Sequence, residues 1–206
     1  MMSFPLEAAL LNVALLCILT VPHEFAHAWV ATKLGDDTPE REGRVTLYPP
    51  AHIDLMGTLI LPAVMTLLGG GMLGWGRPVN TSPSRLRWGL NGLALVALAG
   101  PASNFLLALL CAAVSVTFGA LSSDVREISG RAAQLSVYLA LFNLIPVPPL
   151  DGSKLLIAAR VPMVIYEELA RFGFLLLLVA MSVTNLGGYL SHFTFRITRA
   201  IFNLFY

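Results

Sequence analysis

Residues 6–34, LEAALLNVALLCILTVPHEFAHAWVATKL, decide the fold. The apolar run 6–21 carries a single charge, Glu7. A bilayer core of roughly 30 Å takes about 20 apolar residues in a helix, so the stretch is long enough to span. No basic residues precede the run and no A-x-A cleavage site follows it, which favours a permanent transmembrane helix over a signal peptide. Its later half nevertheless holds His23, Glu24 and His27. Ionisable groups inside an apolar run are costly, so each is a functional candidate. Positions i and i+4 share a helix face, and both imidazoles can therefore reach one metal ion. Glu24, next to the first ligand, stands where a general base for a metal-activated water would stand. A chance HExxH is common in soluble sequence. In a lipid-embedded run the same residues are hard to explain without a metal.

Outward from this stretch the rest of the chain is of one kind. Hydrophobic residues make up 56% of the 206 residues and charged residues 12%, against about 25% charged in ordinary soluble domains. Mean hydropathy is +0.75. The net charge of +1 argues against a nucleic-acid partner. Cys17 and Cys111 lie alone in apolar runs and read as small hydrophobes rather than a disulfide or a metal ribbon. Further apolar segments fall at 53–73, 90–120, 131–144 and 172–186, and the tail 189–206 is amphipathic and interfacial in pattern. The expected fold is an all-α integral membrane protein: a polytopic bundle of about four to five transmembrane helices, forming a single membrane-embedded domain over 1–206. Short extended elements are plausible at 43–48 or 75–80. Tyr48, Trp75 and Trp88 suit an interfacial aromatic belt, and the glycine run 69–71 suits a turn.

A catalytic zinc takes a third protein ligand and keeps one open position. Asp151 is the remaining acid that follows a long apolar run, and it sits in Pro148-Pro149-Leu150-Asp151-Gly152. Prolines forbid regular helix there, and irregular backbone at membrane depth is tolerated where it lines a cavity. Alternatively the prolines end one helix and Asp151 caps the next; taken alone, that is the better reading. His52 and Asp54 form a second polar pair, explained more cheaply by a border position than by a metal.

Together, HEFAHA and NLIPVPPLDG resemble the site-2 protease family of intramembrane zinc metalloproteases, and Gly100-Pro101-Ala102-Ser103-Asn104 is similar to that family's motif on the intervening helix. RVTLYPPAHIDLMGT and GWGRPVN resemble its compact prokaryotic subgroup, which lacks appended soluble domains. The resemblance implies one zinc held by His23, His27 and Asp151, with Glu24 as catalytic base. It also implies that Asn143 clamps an extended substrate and that Asn104 supports the substrate or the oxyanion. The implied partners are a transmembrane protein substrate and the bilayer. Ser153 departs from the family's second glycine, and Pro22 precedes the first ligand.

If Asp151 and the histidines share one ion, the chain must cross the membrane an even number of times between the first and third long segments. Segment 53–73 is too short for two spans, so it should be re-entrant or interfacial. Charges check this independently. If the segment spans, Lys33, Arg41, Arg44, Arg126 and Arg131 oppose Arg77, Arg85, Arg87, Lys154, Arg160 and Arg171; if it does not, only Arg126 and Arg131 stand against the other nine. The positive-inside rule prefers the second arrangement, with a multi-pass protein in the cell membrane and its zinc site facing the cytoplasm. Two other classes share these residues. A metal transporter would need ligands strung across the bilayer, and one cluster is visible. A catalytically silent scaffold would not need Glu24.

Overall fold

The computed structural model describes residues 4–67 and 74–205. Among them the secondary structure is helical, with no β-strand. Helices satisfy their own backbone groups, which is what a lipid solvent demands. The chain divides into two compact units, Met1–Gly92 and Leu93–Tyr206.

The first unit is built on helix α1, Phe4–Lys33. Its stretch Leu10–Lys33 is long and apolar enough to cross a membrane. The helix runs on through Pro22, which removes the N–H that would bond the Ile18 carbonyl without ending the helix. α1 stops at Gly35, whose φ of +102° suits glycine. The Gly35 N–H bonds the Thr32 carbonyl at 3.0 Å and the Asp36 N–H bonds that of Ala31 at 3.0 Å, the Schellman pattern that a left-handed residue permits. This turn delivers Asp36, fully buried, to a set of donors. Its carboxylate accepts from the Thr38 N–H (3.1 Å), the Thr38 hydroxyl (2.6 Å) and the Ser82 N–H (2.5 Å). The end of α1 thereby fastens a loop more than forty residues further along the chain.

Helix α2, Thr38–Arg41, is followed by a 3-10 turn at Pro49–Ala51 and a π-helical turn, Leu55–Ile60, that leads into α3, Leu61–Leu67. Both the π turn and α3 pack on α1. At about 1.5 Å per residue, helix over 55–67 reaches roughly 20 Å, short of the roughly 30 Å hydrocarbon core. That length is of the described residues alone, 55–67, and residues 68–73 of the segment lie outside them. The glycine run 69–71 lies outside the described residues.

The candidate extended elements at 43–48 and 75–80 form no strand, and 74–80 carries no regular secondary structure. In 74–80 the inward-facing backbone groups bond to loops and side chains instead of to a neighbouring strand. The Trp75 N–H bonds the Gly57 carbonyl (3.0 Å), the Arg77 N–H bonds that of His52 (2.8 Å), and the Thr58 hydroxyl donates to the Trp75 carbonyl (2.8 Å). Trp75 lies against Gly57, where a Cβ would meet its indole, while Tyr48 and Trp88 remain exposed.

The second unit contains most of α4, Leu90–Phe118, then α5, Ser123–Asn143, α6, Gly152–Ala158, α7, Met163–Val183, and α8, Leu186–Phe202. α4 is a second helix of spanning length and apolarity, and its Leu106, Leu110 and Val114 are exposed, as lipid-facing residues are. α7 and α8 pass the same test only as a pair, bent by 81° at their junction, which is the form of a broken span or a re-entrant loop. α5 starts at Ser123, well before the apolar run at 131, because Ser122 caps it by accepting the Val125 N–H. Ala108 and Ala112 of α4, Val137 of α5 and Ile201 of α8 form a buried core; alanines allow the close approach that helix packing in lipid relies on. The Ser136 hydroxyl bonds the Asn104 carbonyl at 2.8 Å and ties α5 to α4. The tail is helical, and its buried stripe Leu190, Thr194, Thr198 and Ile201 belongs to a helix that packs on α5.

Candidate metal centre

His23, Glu24 and His27 occupy the C-terminal half of α1 and are all buried, at 5%, 7% and 2% exposure. The helical repeat brings the two imidazoles to one face, with their Nε2 atoms 3.1 Å apart and their rings nearly perpendicular at 83°. Zinc–nitrogen bonds of about 2.05 Å at a tetrahedral angle separate two nitrogens by about 3.3 Å. The pair therefore stands close to the edge of a zinc tetrahedron, and one zinc fits it.

Segment 74–80 crosses beside Glu24. A Cβ built on Gly76 would lie 2.8 Å from Glu24 Oε1, 3.0 Å from its Cγ and 2.5 Å from Thr20 Cγ2. Only a glycine lets the backbone approach the carboxylate this closely.

Asp151, Asn143 and Asn104 belong to the second unit. Asp151 stands at the position before α6, yet its side chain makes no capping bond to that helix. The simple explanation of the residue as an N-cap is therefore not what the structure shows. Its carboxylate is buried, and Oδ1 accepts from Lys154 Nζ at 3.0 Å. Gly152 fits where any Cβ would run into the Leu144 and Ile145 carbonyl oxygens at the end of α5. Ser153, the departure from a second glycine, is accommodated by a local bond from its hydroxyl to the Leu150 carbonyl at 2.7 Å. Asn143 ends α5 half-buried, its Nδ2 donating to the Leu139 carbonyl at 3.0 Å. Asn104 is fully buried.

His52 and Asp54 serve the scaffold of the first unit. Asp54 caps the π turn by accepting the Gly57 N–H (2.6 Å), while its own N–H bonds the Thr58 hydroxyl (3.0 Å). The fully buried His52 bonds the Thr46 carbonyl through Nε2 at 2.7 Å. Burial pushes its pKa down, partly offset by the Thr46 carbonyl and reinforced by the Arg44 charge, so it is neutral near pH 7. Sequence reasoning missed Arg44, Asp36 and Gly76. In the polar stretch at 35–52 a buried Arg or Asp looks like any solvated charge, and no periodicity separates them.

The chain belongs to peptidase family M50, the site-2 proteases, and is thereby a membrane-embedded metalloprotease. The profile of that family matches residues 118–181. The chain is 36% identical over 197 residues to YwhC of Bacillus subtilis (strain 168), named as a candidate zinc metalloprotease, covering 90% of this chain and 86% of that one. It is also 35% identical over 133 residues to Rip2 of Mycolicibacterium smegmatis, a candidate zinc metalloprotease by name, covering 63% of this chain and 49% of the relative. The Rip2 protein of Mycobacterium tuberculosis H37Rv is similar at 35% over 134 residues, again 49% of its length. No solved structure gives a significant match.

Proposed function

We propose that this chain is an intramembrane zinc metalloendopeptidase that cleaves transmembrane segments of other membrane proteins, in regulated intramembrane proteolysis. The observation that carries the reading is the buried pair of imidazoles, 3.1 Å apart on a helix of membrane-spanning length, with Glu24 beside them. His23 and His27 would hold the ion, with Asp151 as third ligand. Family membership, the burial of Asp151 and its failure to cap α6 support that assignment. Zinc supplies Lewis acidity toward the scissile carbonyl and the attacking water. Glu24 takes the proton of that water on its carboxylate and passes it to the leaving amine.

A transmembrane substrate hides its carbonyls in its own helix and must be unwound locally before attack. Asn143, at the accessible end of α5, is suited to hydrogen-bond the unwound strand by exchanging its bond to Leu139. Asn104, fully buried, can support that geometry only from behind. The domain is single and multi-pass, with its site toward the cytoplasm. The nine-against-two division of basic residues supports this orientation.

The test uses the full chain in proteoliposomes with a single-span substrate, and pairs cleavage with metal analysis. Glu24→Gln should abolish cleavage and keep zinc; Asp151→Ala should lower both. Wild-type turnover in Glu24→Gln would sink the mechanism, and wild-type zinc in Asp151→Ala would remove that ligand.

A further inference from the structure

Arg44 is 4% exposed, an unusual position for an arginine in a loop. Its guanidinium meets carbonyls rather than a carboxylate. Nη1 donates to the Ala51 carbonyl, and Nη2 to those of Arg77 and Pro78, the last at 3.2 Å. One planar fork thus joins the turn at 49–51 to segment 74–80. The Arg77 N–H closes the same junction from the other side, on the His52 carbonyl. Trp75 is anchored inward too, by Gly57 and Thr58. Gly76, held between these two anchors, is the residue pressed against Glu24 and Thr20. Burial lowers the pKa of Arg44, and the nearby Glu24 and Glu42 charges oppose that change; an arginine remains a cation throughout.

A buried charge held by main-chain oxygens through Nη1 and Nη2, with its Nε left without a partner, is a costly way to gain stability. Its distinctive product is geometric, because a rigid fork fixes three carbonyls from two loops at once.

We infer that Arg44 is a positioning residue for peptide hydrolysis: its fork sets segment 75–78 against α1, and the Gly76 backbone in turn confines the Glu24 carboxylate to its working rotamer. The inference rests on Glu24 being the general base. Misplacing a reacting group by about 1 Å costs on the order of 10²-fold in rate. Lysine keeps the charge and much of the length but offers a point donor that cannot span both loops.

The experiment compares Arg44→Lys, Gly76→Ala and the double variant in proteoliposomes. It reads kcat, KM, zinc content and melting temperature. Arg44→Lys should lose kcat by about 10- to 100-fold with KM within threefold and zinc unchanged. Gly76→Ala should show the same split, because its Cβ forces Glu24 aside. If both act through the placement of Glu24, the double variant should lose far less than the product of the two single losses. Wild-type kcat in Arg44→Lys, losses that multiply, or a loss matched by missing zinc would each overturn the inference. Glu24→Gln separates the two levels. An inactive Glu24→Gln beside a fully active Arg44→Lys refutes the positioning role alone, whereas an active Glu24→Gln refutes the parent mechanism.

Discussion

Replacing Gly152 by alanine tests whether the turn that presents Asp151 is built to a tolerance that metal binding requires. A Cβ there would lie 2.6 Å from the Ile145 carbonyl oxygen and closer still to that of Leu144. An ordinary carbon–oxygen contact needs about 3.3 Å or more, so something must give by more than half an ångström. Both obstacles are backbone atoms at the end of α5, which cannot swing away as a side chain could. The start of α6 must move instead, and Asp151 moves with it. Overpacking of this kind costs about 1–3 kcal/mol, and metal sites hold their ligand distances within about 0.2 Å. Zinc affinity should therefore fall by roughly 10- to 100-fold, the range seen when the supports of a metal ligand are disturbed. Gly130→Ala is the control. Its Cβ would find only the Ser115 hydroxyl at 3.8 Å, inside α5, and alanine favours a helix by up to about 1 kcal/mol over glycine. Zinc titration against a competing chelator and thermal unfolding of both proteins are the assays. Wild-type zinc affinity in Gly152→Ala would refute the reasoning.

Asp36→Asn should destabilise the protein by about 2–4 kcal/mol, since one of its acceptors becomes a donor facing the N–H groups it now binds. Burial alone would raise the Asp36 pKa, but the Thr38 hydroxyl, the Ser82 and Thr38 N–H groups and the Arg85 charge hold it below its ordinary 3.8. Its stabilisation is therefore complete above that value and is lost as pH falls through the lower folded pKa. Acid unfolding curves of Asp36→Asn should lack this component, and an unchanged acid slope would contradict it. Cysteines at Thr38 and Ser84, introduced on a background lacking Cys17 and Cys111, should both label from the cytoplasmic side with an impermeant thiol reagent. Labelling from opposite sides would show that segment 53–73 spans, and either the crossing count or Asp151 as ligand would have to be abandoned.

Helical membrane character was legible because it rests on composition and run length, which the bilayer dictates directly. Boundaries were less so. α5 and α7 begin at Ser123 and Met163, ahead of the apolar runs at 131 and 172, because helix propensity carries a helix out of the apolar layer, helped at α5 by the Ser122 cap. The short elements at 43–48 and 75–80 failed as strands for a related reason. Alternating residues can mark an extended segment, but they cannot say whether a second strand or a set of carbonyls and side chains will accept its bonds. Here the Gly57 and His52 carbonyls accept its N–H groups, while the Thr58 hydroxyl and the Arg44 guanidinium donate to its carbonyls.

The site divides along the same line. His23, Glu24 and His27 were legible because helix periodicity alone puts two residues four apart on one face, and lipid makes their presence expensive enough to demand a reason. Arg44 and Asp36 carry charges just as buried, yet their neighbours in sequence are Asp37, Glu40, Arg41 and Glu42, which are at least partly exposed. A charge is informative when its surroundings make it costly, and a polar loop hides that cost until the chain folds over it. The residues that hold Glu24 in place are thus harder to read than Glu24 itself. The contrast explains why they matter to the proposed mechanism: a carboxylate on a rigid helix still has a mobile side chain, and the parts that confine it must come from elsewhere in the chain. Gly76 supplies the contact, and Arg44 supplies the reason that Gly76 is there.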